Sequence, residues 1–357
     1  MKTDMTARQE TESGARQGGQ VPKGQTGRRR NEVAVEMAIR YGLLAMLAGM
    51  IVLFAILEPF FISTRNVFII LQSVSIVALL ALGVTATLVV GGFDLSIGAV
   101  AAMALMASSY VMVIWEGSTA LAVVFCLFLG ALVGFLNGVL IVKARIPDLL
   151  ATLGMMFLLI GLQLIPTGGR SIATGMTLSD GVTAEGRFAE AFLALGRMRL
   201  FDVIPLPVVF MAVLGVALWF FLEKTRWGRV MYAIGGNEKA ARLAGANVER
   251  YKIAAYMISG VYAAIGGILL AARVGRGDVS SGNSLLLDAV AAALIGFAVL
   301  GLRRPNAFGT VIGALFVGTL LNGLTMLNAP YYTQDFIKGV VLVLALVFTF
   351  GLRAGRR

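Results

Sequence analysis

Asp94 closes the segment Gly91-Gly-Phe-Asp-Leu-Ser-Ile-Gly98, an acid set inside otherwise apolar sequence. Two glycines break a helix there, and Asp94 and Ser96 are suited to cap the helix that follows. Gly91 and Gly92, without side chains, would let the backbone be approached closely there. Asn137 and Asn322 sit in other apolar runs, each followed by glycine. An amide in hydrocarbon either bonds across helices or faces a wet cavity. Asp288 lies near the start of an eighth apolar stretch and Asp335 before a tenth, both at an expected water boundary. Absences narrow the chemistry further. The chain has no histidine, which removes Ser–His nucleophiles, HExxH zinc sites and imidazole proton relays. Cys126 is the one cysteine, so no intrachain disulfide forms. No lysine follows a glycine, so there is no GxxxxGK[ST] phosphate loop and the chain does not hydrolyse ATP by itself.

The elements that must position these residues are apolar stretches, each of about the length that crosses a bilayer, roughly 20 residues. They run over 42–57, 68–90, 95–114, 119–142, 149–165, 203–222, 253–272, 285–301, 307–327 and 336–350. Lipid satisfies no open backbone group, so they must be helices packed together. Composition agrees, with 58% hydrophobic and only 14% charged residues, against about 25% charged in soluble domains. The expected fold is an all-α polytopic membrane protein of about ten transmembrane helices. Residues 41–352 would form the transmembrane core, in halves of about 41–200 and 203–352. Residues 1–40, polar and without an apolar signal region, read as a cytoplasmic tail, and 353–357 as a cytoplasmic end.

Charge orients the chain. With alternating helices and the amino terminus inside, 22 basic residues fall on the cytoplasmic side and seven on the other, with Lys338 in the last span. That asymmetry places both termini inside under the positive-inside rule and favours an even helix count. The net charge of +11 is thereby explained by insertion, with no nucleic-acid partner and membrane lipid as the surroundings.

An internal repeat is also legible. Gly130-Ala-Leu-Val-Gly-Phe-Leu-Asn-Gly138 in the fourth stretch resembles Gly313-Ala-Leu-Phe-Val-Gly-Thr-Leu-Leu-Asn-Gly323 in the ninth. Ala99-Val-Ala-Ala-Met-Ala-Leu105 in the third resembles Ala289-Val-Ala-Ala-Ala-Leu294 in the eighth. Both offsets are five helices, so the copies cross in opposite directions, an inverted five-helix repeat. The symmetry is expected to bring Asn137 and Asn322 to comparable depths near the midplane, on a solute route shaped by Asp94, Gly91, Gly92 and Asp288. Packing between helices is the competing account of both asparagines. Between the halves, Asn237 is a good helix N-cap, Glu238 suits the first turn and Gly245 a stop. They describe a short capped helix outside the membrane, fit to dock a soluble partner.

Over roughly residues 40–352 the chain resembles the membrane-spanning permease subunit of ribose-type monosaccharide ABC importers, within the branched-chain amino acid/ribose permease superfamily. The resemblance is carried by Gly91–Gly98, Ala151-Thr-Leu-Gly154, Thr225-Arg-Trp-Gly-Arg229, Gly235-Gly-Asn-Glu238 with Ala244-Gly245, and Leu287-Asp-Ala-Val-Ala-Ala292. Gly309-Thr310, Gly313-Ala314 and Lys338-Gly339 extend it. It implies a permease pair, homo- or heterodimeric, in the cytoplasmic membrane. Cytoplasmic ABC ATPase subunits would hold ATP and magnesium, this chain binding no cofactor, and an extracytoplasmic sugar-binding protein would deliver solute. Gly236, Asn237, Glu238, Arg242 and Gly245 would form the ATPase-coupling helix. The family's Gly-Gly-Thr-Ser-Leu run is replaced here by residues 296–306, with Arg303-Arg304-Pro305 in the loop, which points to a different monosaccharide or polyol.

Two rival classes bear on the same residues. An ion-driven carrier or passive channel would share the inverted repeat but has no use for the capped cytoplasmic helix. An intramembrane aspartyl protease would need Asp94 and Asp288 to meet at one depth, and the orientation above starts their helices on opposite sides.

Overall fold

The computed structural model describes residues 41–177, 181, 183–297 and 304–346. The tail 1–40, the end 353–357 and residues 298–303, including Arg303, lie outside the described residues.

The fold is mostly helical. Its helices are α1 (Tyr41–Leu57), α2 (Thr64–Val89), α3 (Ile97–Val113), α4 (Thr119–Val142) and α5 (Asp148–Leu164). Then come α6 (Glu190–Arg197), α7 (Leu206–Lys224), α8 (Arg226–Gly236), α9 (Glu238–Leu243) and α10 (Val248–Val274). The last are α11 (Gly282–Gly296), α12 (Ala307–Met326) and α13 (Tyr331–Leu346). Among the described residues the only strand pair is a two-residue hairpin, β1 (Arg199–Leu200) with β2 (Ile204–Pro205).

Polar caps set the helix starts. Ser63, Ser118, Thr225, Asn237, Asn247 and Asn306 each accept the backbone N–H three residues on, satisfying an otherwise orphaned donor. Ser96 does not cap α3 with its hydroxyl as expected; it turns to Asp94 instead.

Six helices are long and apolar enough to cross a membrane: α2, α4, α5 with its 3-10 extension to Thr167, α7, α10 and α12. Helices α1, α3 and the apolar part of α11 are shorter. At 1.5 Å per residue, the 17 residues of α3 rise about 25 Å, less than the ~30 Å hydrocarbon core. The loop from Val90 to Ser96, held by Ser259 and Asn137 through Asp94 and Ser96, takes the first two residues of the apolar stretch 95–114.

Buried shares separate centre from rim. In α2, α10 and α12, 61% of the most apolar window is buried, against 28% in α4, α5 and α7. Helix α10 packs on α4, α2 and α3, and α12 packs on α11, α2 and α7. The α4–α10 seam is close because glycines line it. A Cβ on Gly130, Gly134 or Gly260 would overlap the facing backbone carbonyl of Gly260, Tyr256 or Gly130. Small residues that let helix backbones approach are the usual means of association in lipid.

Candidate functional site

Three groups of functional candidates emerge. The first is the lever made by α8 and α9. The expected cap and stop are present: Asn237 Oδ1 accepts from Ala240 N–H at 3.0 Å, and Gly245 adopts φ +87°, where an L side chain would be strained. Glu238 receives Lys252 Nζ from α10 at 2.6 Å and Arg242 at 3.3 Å within α9. The Lys252 hydrogen bond, with Arg242 behind it, holds the Glu238 carboxyl below the usual carboxylate range. Leu243 is 90% exposed at the end of α9, an apolar knob with no cover in the isolated chain. Gly236 is open, with nothing within 4 Å of an added Cβ.

Its neighbour Gly235 is not open. A Cβ there would overlap the Val89 carbonyl oxygen at the end of α2, and would stand 3.2 Å from Gly91 N. Gly91 in turn has φ +76°. The lever therefore rests directly on the loop that carries Asp94. Sequence reading placed Gly236 at the coupling position and missed Gly235, since nothing in the string distinguishes two adjacent glycines.

The second group is an inner cluster around Asp94, which is 1% exposed. Its Oδ1 accepts from Ser96 N–H at 2.9 Å and from Ser96 Oγ at 2.6 Å, and its Oδ2 accepts from Ser259 Oγ of α10 at 2.7 Å. Asn137 Nδ2, from α4, donates to the same Ser96 hydroxyl at 2.9 Å. Asn137 Oδ1 is buried with no hydrogen-bond partner among the described residues. Asp94, Ser96, Asn137 and Ser259 are thus one network joining α4, α10 and the broken segment. Gly92 belongs to it sterically, because a Cβ there would come 2.6 Å from the Tyr256 hydroxyl. Next to it the amino ends of the short helices α3 and α11 meet, a Cβ on Gly98 lying 2.7 Å from the Gly282 carbonyl oxygen.

The third group is a cavity of about 400 Å³ bounded by α2, α10, α11 and α12, which brings Asp288 and Asn322 together. Asn322 exchanges hydrogen bonds with Asn66 of α2, Oδ1 accepting at 3.0 Å and Nδ2 donating at 3.2 Å. Asp288 does not face water alone: Lys338 of α13 meets its Oδ1 at 2.7 Å, both side chains nearly buried. Asp335 reaches the same ammonium at 3.3 Å while remaining exposed. Asp94 and Asp288 share no partner, as an aspartyl dyad would require.

Asn137 and Asn322 occupy matching places, five and four residues before the last residues of α4 and α12, but lie in separate groups. At the edge of the altered loop, Arg304 pairs with Glu223 of α7 at 2.8 Å and lies over the Tyr232 ring of α8, 4.3 Å from its centroid.

Multiple apolar spans, short helices meeting end to end and buried polar groups between them define a polytopic membrane transport protein. The chain belongs to the family described as branched-chain amino acid transport system / permease component, whose model matches residues 66–346. It is 38% identical over 304 residues to the ribose import permease protein RbsC of Escherichia coli (strain K12), covering 84% of this chain and 91% of that one. It is 36% identical over 300 residues to the RbsC of Bacillus subtilis (strain 168), covering 84% and 88%. The xylose transport system permease protein XylH of Haemophilus influenzae is 32% identical over 333 residues, covering 80% and 89%. No solved structure matches the chain.

Proposed function

We propose that this chain is the permease subunit of an ATP-driven importer that carries a monosaccharide or related polyol across the cytoplasmic membrane. Family membership and the ribose and xylose permeases among its relatives support the class of solute. The observation that carries the mechanism is the contact of Gly235 with Val89 and Gly91. It joins a capped cytoplasmic helix, in a chain without a phosphate loop, to the loop that holds Asp94. Closure of two ATPase subunits, which hold ATP and magnesium, pushes α9 through Leu243 and the Glu238–Lys252 clamp. The push reaches the Gly91–Asp94 loop and, through Ser96 and Ser259, both α4 and α10. A sugar-binding protein delivers solute on the opposite face, and a second permease chain completes the pathway.

The ten-helix inverted repeat is part of this reading, and the packing partners support it. Helix α10 lies on α4 and α3 as α2 lies on α12 and α11; α3 lies on α4 and α5 as α11 lies on α12 and α13. In that topology, with both termini cytoplasmic, the inner cluster stands toward the cytoplasm and the cavity at Asn322 toward the outside. The two asparagines then flank the midplane from opposite sides instead of sharing one depth there. Short helices meeting inside the membrane are where transporters place their solute route.

Affinity purification of the intact chain from its native membranes tests the reading. An ATPase subunit should copurify, and Glu238→Arg, which reverses the clamp charge, should release it. A chain that purifies without any ATPase and equilibrates sugar in ATP-free vesicles would instead be a carrier or channel.

A further inference from the structure

The cavity between α2, α10, α11 and α12 holds more polar chemistry than packing uses. Ser73, Arg273, Asp288, Asn322 and Thr325 converge on it from four helices, and the rest of its lining is aliphatic apart from one glycine. Among the described residues the Arg273 guanidinium reaches only the Ser73 hydroxyl, at 3.4 and 3.5 Å. No carboxylate lies within ion-pair distance of it among the described residues. Asp288 engages Lys338 through one oxygen, and its other oxygen makes no hydrogen bond among the described residues. Thr325 donates to the Leu321 carbonyl at 2.8 Å, which leaves its lone pairs open. Planar donors, a carboxylate oxygen and hydroxyls around an aliphatic wall form the usual pattern of a small-molecule site, and about 400 Å³ falls within the ~300–1,000 Å³ of such sites.

We infer that this cavity is a solute-binding site of the permease itself, taking one neutral monosaccharide whose neighbouring hydroxyls bridge Arg273 and Asp288. A sugar hydroxyl both donates and accepts, so one pair of them satisfies a guanidinium and a carboxylate at once. An amino sugar sets its ammonium against Arg273, whose charge no carboxylate offsets among the described residues, so a cationic sugar is disfavoured. The inference rests on the importer reading above. It adds that selectivity is exercised in this chain, through Ser73, Arg273 and Thr325, and not only in the binding protein.

The test uses the full chain in lipid nanodiscs, with ribose, xylose, glucose and galactose as neutral probes and glucuronate and glucosamine as charged ones. At least one neutral sugar should raise the melting temperature saturably and more than glucuronate does, and glucosamine should not raise it. Losing a hydrogen bond to a charged group should weaken that binding about tenfold or more in Arg273→Gln. Thr325→Val should weaken it less, and both variants should melt near wild type without sugar. Gln163→Leu, in a separate cavity, should bind as wild type. No stabilisation by any neutral probe, stronger binding of glucuronate, or unchanged binding in both cavity variants would overturn the inference. Uptake by the reconstituted importer separates the two readings. Wild-type uptake with unaffected cavity variants removes the site and keeps the importer, whereas no ATP-dependent uptake of any probe removes the importer.

Discussion

Replacing Gly235 by alanine adds one methyl group at the point where the α8–α9 lever touches the bundle. That methyl would overlap the Val89 carbonyl oxygen, so α8 and the end of α2 must part by roughly an ångström to regain van der Waals distance. Overpacking of this kind costs about 1–3 kcal/mol, while the helix preference of alanine over glycine returns up to ~1 kcal/mol. The net is too small to unfold a domain with a typical ~5–15 kcal/mol of stability. Displacements of an ångström nevertheless cost about a hundredfold where geometry must be met. The variant should therefore assemble with its ATPase and keep basal hydrolysis. Solute-stimulated hydrolysis and uptake should fall by about tenfold or more. Gly236→Ala is the internal control, because nothing lies within 4 Å of its added Cβ. The assay is ATP hydrolysis by the reconstituted complex with and without sugar-loaded binding protein. If Gly235→Ala couples as well as Gly236→Ala, the lever does not act through this contact.

Four further outcomes follow from the same contacts. Removing one partner of the Lys338–Asp288 pair strands a nearly buried charge, so Lys338→Met should cost about 3–5 kcal/mol, recovered in large part by adding Asp288→Asn; thermal unfolding in detergent reads both. Asn322→Leu should destabilise by ~1–3 kcal/mol through the orphaned Asn66 Oδ1, its Nδ2 keeping the Phe61 carbonyl at 2.8 Å, so its melting temperature should fall whether or not transport does. Glu238 has a depressed carboxyl, so its clamp is intact above the unfolded value of about 4.3 and is lost as pH falls through the lower folded value. Attachment of α9, read by hydrogen exchange, should therefore loosen only below the ordinary carboxylate range, and Glu238→Gln should abolish that dependence at a cost under ~1 kcal/mol. In a Cys126→Ala background, cysteines at Lys239 and Arg304 should label from the cytoplasm and one at Arg187 from outside; inward labelling at 187 would overturn the orientation.

The lever was the most legible part of the site, because its determinants are local. Asn237, Glu238 and Gly245 signal a cap, a first turn and a stop within nine residues, and the structure builds all three. The spans were legible as apolar runs, but their lengths were not: the loop that turns Ser96 toward Asp94 shortens α3, and the choice belongs to tertiary hydrogen bonds. Partners distant in sequence were invisible for the same reason. Ser259 stands 165 residues from Asp94, and Lys338 is equally remote from Asp288, so neither of these two pairings showed in the string. Ser73, Arg273 and Thr325 carried no signal in the sequence, because only the packing of α2, α10 and α12 brings them to one cavity.

The central claim is that ATP drives sugar through this chain. Proteoliposomes containing the chain, its ATPase and its sugar-binding protein, loaded with ATP on the cytoplasmic side, test it most directly. Labelled sugar should accumulate above its external concentration and should stop doing so when ATP is withheld or Glu238 is replaced by arginine. Equilibration of sugar at the same rate with and without ATP would contradict the account.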